Sequence, residues 1–267
     1  MTYNSTLDDS GFDTNTFYRR TLHVLSDAQI PFLVGGSHAF LHYTGIARNT
    51  KDLDLFLRRD DLQRAIAALG EAGYRTERTF SHWLAKAFQG DDFVDLVYAS
   101  GNGVAQVDDG WFDHSVEAQV LGMPVRLTPA EELIWQKSFI MERERFDGGD
   151  IMHLFLRCGK SLDWNRLLDR YGPNWRLLLT YMSFFGFVYP GVKGPIPDAL
   201  YQSLLDRARQ PDPNPDGTQL CRGTLVSRSQ YLVDIGRWAF RDARIQPHGT
   251  MTPEEAVYWT WAIDHVK

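Results

Sequence analysis

The chain has 267 residues, 43% of them hydrophobic and 13% aromatic, which is enough apolar material for one large packed domain or two small ones. A formal net charge of −6 excludes a general basic field able to hold duplex nucleic acid, and leaves open only a local basic groove. The two cysteines, Cys158 and Cys221, have no CxxC or metal spacing and read as idle thiols of a reducing compartment; with a polar, acidic start and no apolar run of membrane-spanning length, the expected location is the cytoplasm.

Residues 1 to about 13 read as a frayed tail, and Phe17, Leu22, Val24 and Leu25 give Thr14 to Ser26 a helical apolar face. Ile30 to Val34 reads as a buried strand running into Gly35-Gly36-Ser37, with Ser37 expected to cap a helix over His38 to Tyr43. Lys51 to Leu57 alternates strictly, which predicts a strand with two different faces. An amphipathic helix is expected over Arg59 to Ala72, then strands at Tyr74 to Arg78, Trp83 to Phe88 and Phe93 to Tyr98, the last entered through the turn Gly90-Asp91-Asp92. Ser100-Gly101-Asn102-Gly103 reads as a turn, and Ala118 to Leu121 with Pro124 to Leu127 as a hairpin.

At Thr128-Pro129-Ala130-Glu131 a capping box predicts a helix through Met141. Beyond it the pattern is helical: Gly149 to Cys158, Trp164 to Tyr171, Trp175 to Phe187, Pro197 to Arg209, then a proline-rich linker at 211 to 217, and helices over Ser227 to Phe240 and Thr252 to Val266. Trp111, Trp135, Trp164, Trp175, Trp238 and Trp261 are expected in the core. The chain therefore reads as α+β, a mixed-sheet half over residues 1–127 and an all-α half over 128–267, with no internal repeat.

Period-two geometry puts Asp52 and Asp54 on one strand face, where two adjacent anions are costly unless a cation lies between them. Mg²⁺, a hard ion that takes carboxylate and phosphate oxygens, suits such a pair. Gly35-Gly36-Ser37 lets backbone approach a phosphate at a helix start, and Asp95 interrupts the apolar run Phe93 to Tyr98 where a third carboxylate would serve. A bare DxD or Gly-Gly-Ser is more often a solvent-facing pair or a plain turn, and a lone buried Asp is as often paired structurally; it is the combination that points to chemistry.

This combination resembles the nucleotidyltransferase superfamily that shares its palm with DNA polymerase β. The resemblance spans Ile30 to Val97 and implies a palm of mixed β-sheet flanked by helices. Carried onto this chain, it implies a two-metal Mg²⁺ site at Asp52, Asp54 and Asp95, and a nucleotide phosphate site at Gly35, Gly36 and Ser37. Lys51 has no place in the general motif. Pro129 to Lys137 and Arg143 to Ile151 further resemble the second domain of AbiEii-type and related toxin nucleotidyltransferases. That likeness implies nucleotide contacts at Lys137 and at Asp147 or Asp150, although Gly148-Gly149 departs from the bulkier residues usual there, and Glu142, Arg143, Glu144, Arg145 and Asp147 equally read as a solvated helix face.

The implied reaction is transfer of NMP from an NTP such as ATP to an acceptor hydroxyl, with release of pyrophosphate. The acceptor is RNA or tRNA, a protein or a small molecule, and a cognate antitoxin is an implied partner. The alternative reading is a non-catalytic nucleotide-binding or regulatory protein that keeps the palm.

Overall fold

The computed structural model describes residues 10–48, 52–210 and 219–265. Its first half runs α1 (Ser10–Asp27), β1 (Leu33–Val34), α2 (Gly36–Thr44), β2 (Leu53–Phe56), a 3₁₀ turn and α3 (Leu62–Glu71). There follow β3 (Arg75–Phe80), β4 (Leu84–Gln89), β5 (Asp92–Val97), α4 (Asp109–Asp113), β6 (Val116–Val120) and β7 (Met123–Leu127). Seven strands form one mixed sheet in the order β3-β4-β5-β2-β1-β7-β6, with β2 parallel to β5 and β1 parallel to β7. Leu53 and Leu55 of β2 and Val94 and Leu96 of β5 are fully buried, so the alternation between apolar and acidic residues sets one sheet face into the core and the carboxylates onto the other.

β1 is shorter than the apolar run Ile30 to Val34 suggests. The Ile30 amide donates to Leu25 O and closes the end of α1, and Pro31 has no amide to give, so pairing starts at Leu33. The helix after it begins two residues earlier than expected: Gly35 is its N-cap and Ser37 lies inside α2, where its side chain caps nothing. Lys51 and the proline-rich stretch 211–217 lie outside the described residues.

The second half contains α5 (Ala130–Ser138), α6 (Gly148–Cys158), α7 (Trp164–Tyr171), α8 (Trp175–Val188), α9 (Asp198–Arg209), β8 (Leu220–Cys221), α10 (Leu232–Gly236), β9 (Arg241–Asp242) and α11 (Pro253–His265). Helices dominate it as expected, and among the described residues strand pairing there is confined to the two-residue β8–β9 pair and single bridges. The capping box at Thr128 does not form. Pro129 is the N-cap, Thr128 Oγ1 has no partner among the described residues, and Glu131 is drawn away to Arg166 at 2.7 Å; α5 ends at Ser138, short of the expected Met141. The same motif at Thr252 does form: the Glu255 amide donates to Thr252 Oγ1 at 3.2 Å, and the Thr252 amide to Glu255 Oε2 at 3.0 Å.

Ser227 to Phe240 is not one helix. Ser227 and the Arg228 amide are tied to Glu142, which leaves only α10 helical. Trp111, Trp135, Trp164 and Trp175 are core, but Trp238 is 63% exposed and Trp261 48% exposed. From Leu220 onward the chain returns to the sheet half: Trp259 packs edge-on against Phe80 with centroids 4.8 Å apart, Ser81 Oγ donates to Glu255 at 2.8 Å, and Asn102 Nδ2 donates to Leu225 O at 2.7 Å.

Candidate active site

A cleft of about 560 Å³ opens over the acidic face of the sheet, floored by β2 and β5 and walled by the turn after β1, by α5 and α6, and by the C-terminal segment. The turn after β1 uses its glycines differently. Gly36 has φ of +53°, and a Cβ there would fall inside the Asp54 carboxylate, so only glycine lets the turn and the acid coexist. Gly35 is buried behind the turn, where a Cβ would strike the Phe56 ring; its amide donates to Asp54 O at 3.0 Å. Gly36 and Ser37 line the cleft, at the amino end of α2 whose dipole favours an anion.

Parallel pairing of β2 with β5 sets Asp54 beside Asp95, and Asp52 lies two residues earlier on the same face. One oxygen from each of the three carboxylates lies within 4.8 Å of the others. Burial, then Asp52, then Asp95, push the Asp54 carboxyl up to about 7, and burial also raises Asp95. Lys86, directly across the β4–β5 pairing, holds Asp95 at 2.6 Å. Three converging carboxylate oxygens are a donor set suited to a hard divalent cation, which Asp52, Asp54 and Asp95 would hold.

Across the cleft, Lys137 of α5 is held by Asp147 and Asp150 at 2.8 Å each, so both acids expected near the nucleotide are brought to the one lysine. Arg145 donates to Asp147 at 2.9 Å, and Arg48 from the loop after α2 pairs with Asp150. Burial opposes ionisation of Asp147, but the Arg145 and Lys137 partners outweigh it and hold its carboxyl below the ordinary range. The clasp of three cations and two anions therefore presents net positive charge to the triad.

Lys86, Arg48, Arg228, Trp83 and Trp259 also belong to the cleft region or its walls and were not read as site residues from the sequence, and Glu142, expected on a solvated face, lines the cleft too. Lys86 was within reach of counting: from the turn at Gly90-Asp91, antiparallel register leads back from Asp95 to Lys86. Arg228 and Trp259 carry no local signal, because only the return of the C-terminal segment brings them to the sheet.

No protein-family model matches the chain, and no curated protein matches it. Among solved structures, it is similar to the antibiotic-resistance factor ANT(2'')-Ia at 18% identity and a TM-score of 0.46, covering 65% of this chain and 98% of that one. It is also similar to the lincosamide antibiotic adenylyltransferase LnuA in its lincomycin-bound form (15% identity, TM-score 0.37, 52% of this chain and 94% of that one). A third likeness is to JHP933 from Helicobacter pylori, at 13% identity and a TM-score of 0.38, covering 76% of this chain and 97% of that one. At such scores the functional reading rests on the chain's own residues.

Proposed function

We propose that the chain is a Mg²⁺-dependent nucleotidyltransferase that moves a nucleoside monophosphate from an NTP to an acceptor hydroxyl. The observation that carries this reading is the convergence of Asp52, Asp54 and Asp95 beside the Gly36 turn, facing a cationic clasp across one cleft. The acceptor oxygen forms a bond to the α-phosphorus, the bond from that phosphorus to its bridging oxygen breaks, and the electron pair leaves with pyrophosphate. Asp95, on the strand farther from the phosphate turn, takes the hydroxyl proton. Bound at the triad, Mg²⁺ would supply charge neutralisation on the phosphate oxygens, the main requirement of this chemistry.

Gly36, Ser37 and Lys137 bind and orient the triphosphate, and Arg145 adds positive charge beside it. Asp147 and Asp150 are positioning residues: they fix the Lys137 ammonium rather than touching the nucleotide. The test is pyrophosphate release and label transfer from α-phosphate-labelled NTPs in the presence of Mg²⁺ and cell lysate. Label should transfer with the wild-type chain and be lost in Asp52→Asn and Asp54→Asn at an unchanged or higher Tm. Transfer retained by Asp54→Asn sinks the assignment, and Mg²⁺-dependent NTP binding without pyrophosphate release over a broad acceptor panel favours a non-catalytic binder.

A further inference from the structure

The register of the sheet sets four charged residues in one row. Asp54 of β2 pairs with Asp95 of β5, Asp95 with Lys86 of β4, and Lys86 with Glu77 of β3. Residues directly opposite across a ladder share a sheet face, so the row runs from the acidic cluster to the edge strand of the sheet. Ala85 and Ala87, on either side of Lys86, are fully buried behind it.

Lys86 thus stands between two acids. It has taken the inner one: its Nζ donates to Asp95 Oδ1 at 2.6 Å and lies 4.1 Å from the centre of the Phe93 ring. Both side chains of this pair are mostly buried, so the ammonium is the standing counter-charge of Asp95. Glu77 meanwhile accepts from Arg75 at 3.0 Å, in a pair whose side chains are both at least half exposed. Such an exposed pair is worth little and gives way readily.

A divalent cation at the cluster claims the same carboxylate. Ammonium and dication then repel at close range in a poorly solvated site, and one oxygen of Asp95 is already engaged. The lysine stem is long and flexible, and the next strand offers it Glu77 directly opposite.

Resting on the nucleotidyltransferase reading and its metal site, we infer that Lys86 is a resident counter-ion that competes with the divalent cation for Asp95 and passes to Glu77 when the cation binds. Lys86 is a positioning residue: it holds Asp95 in place before the cation arrives and sets how tightly the cluster takes it. The experiment titrates Mn²⁺ into the full chain without nucleotide and reads the free ion by electron paramagnetic resonance. Uptake that is lost in Asp54→Asn is the uptake of the cluster.

Lys86→Met should tighten that uptake about tenfold, and Lys86→Gln likewise. Glu77→Gln should weaken it about threefold, because Lys86 loses its second partner, and should change nothing in the Lys86→Met background. In an Asp95→Asn background Lys86→Met should no longer tighten uptake, which separates competition at Asp95 from a general loss of positive charge. Glu77 is exposed on the edge strand, so Glu77→Gln keeps the fold whatever the Lys86 variants do. Lys86→Met binding no tighter than the wild type, uptake unmoved by Glu77→Gln, or tightening that persists without Asp95 overturns the inference and leaves the nucleotidyltransferase reading intact. No Mn²⁺ uptake by the wild-type chain, with or without a non-hydrolysable ATP analogue, overturns both.

Discussion

At Gly36 the backbone and the acidic cluster are one construction. A left-handed φ at a non-glycine residue costs about 1–2 kcal/mol by itself, and at this position the new Cβ also displaces the Asp54 carboxylate. Gly36→Ala should therefore lower stability by about that much and, measured by calorimetric titration, abolish Mg²⁺-dependent ATP binding; Gly35→Ala, which meets the Phe56 ring instead, should cost mainly stability, about 1–3 kcal/mol. The two glycines are indistinguishable in sequence, because what separates them is which neighbour each faces. The acids were legible, since alternation alone puts Asp52 and Asp54 on one face.

Asp54 also gives the metal-free protein a pH signature. Its folded value of about 7 stands above the ordinary 3.8, so the folded state holds a proton that the unfolded chain releases. Its contribution to stability is fully present below the unfolded value and is lost as pH rises through about 7. In chelator, Tm should fall between about pH 5 and about pH 8, the Asp54→Asn variant should flatten that fall, and added Mg²⁺ should raise the wild-type Tm far more at the higher pH. A Tm difference between variant and wild type that does not change with pH removes Asp54 as its cause.

Among elements, the clasp around Lys137 joins α5, the start of α6 and the loop after α2. Lys137, Asp147 and Asp150 have side chains only 14%, 9% and 7% exposed, so removing the lysine leaves two poorly solvated carboxylates with only their arginine partners. Lys137→Met should destabilise by about 3–5 kcal/mol in urea unfolding, and adding Asp150→Asn should recover part of it. Equal stability of the single and double variants would remove the clasp as a structural unit. The sequence carried Lys137, Asp147 and Asp150 by their resemblance to known motifs, but not their mutual pairing, because the residues are brought together by the fold of Met141 to Phe146 rather than by a helical repeat. Capping shows the same limit: Thr128 and Thr252 open identical-looking boxes, and the first fails because Arg166, distant in sequence, takes its glutamate.

For the whole molecule, the seven-stranded sheet lies before Thr128 and helices dominate after it, which is where the sequence reading set a domain boundary. We propose that this boundary does not divide the molecule in stability. The C-terminal segment returns to bury Trp259 against Phe80, Thr250 Oγ1 donates to Gly103 O at 2.9 Å, and β1 ends in a hydrogen bond from the Thr128 amide to Val34 O at 3.0 Å. Buried side chains of both halves form one continuous hydrophobic cluster, from Leu22 and Leu55 through Leu133 and Ile151 to Leu178. Such shared burial couples unfolding, so calorimetry of the full chain should give one transition with calorimetric and van't Hoff enthalpies in agreement. Residues 1–127 made alone lack the α5 and Trp259 contacts and should show no cooperative transition; two separable transitions in the full chain, or a fragment that melts cooperatively, would restore the two-domain division. A single unit suits the chemistry, because the carboxylates and Arg48 come from one half and Lys137, Arg145 and their two aspartates from the other, and any hinge between them would open the cleft in which they have to meet.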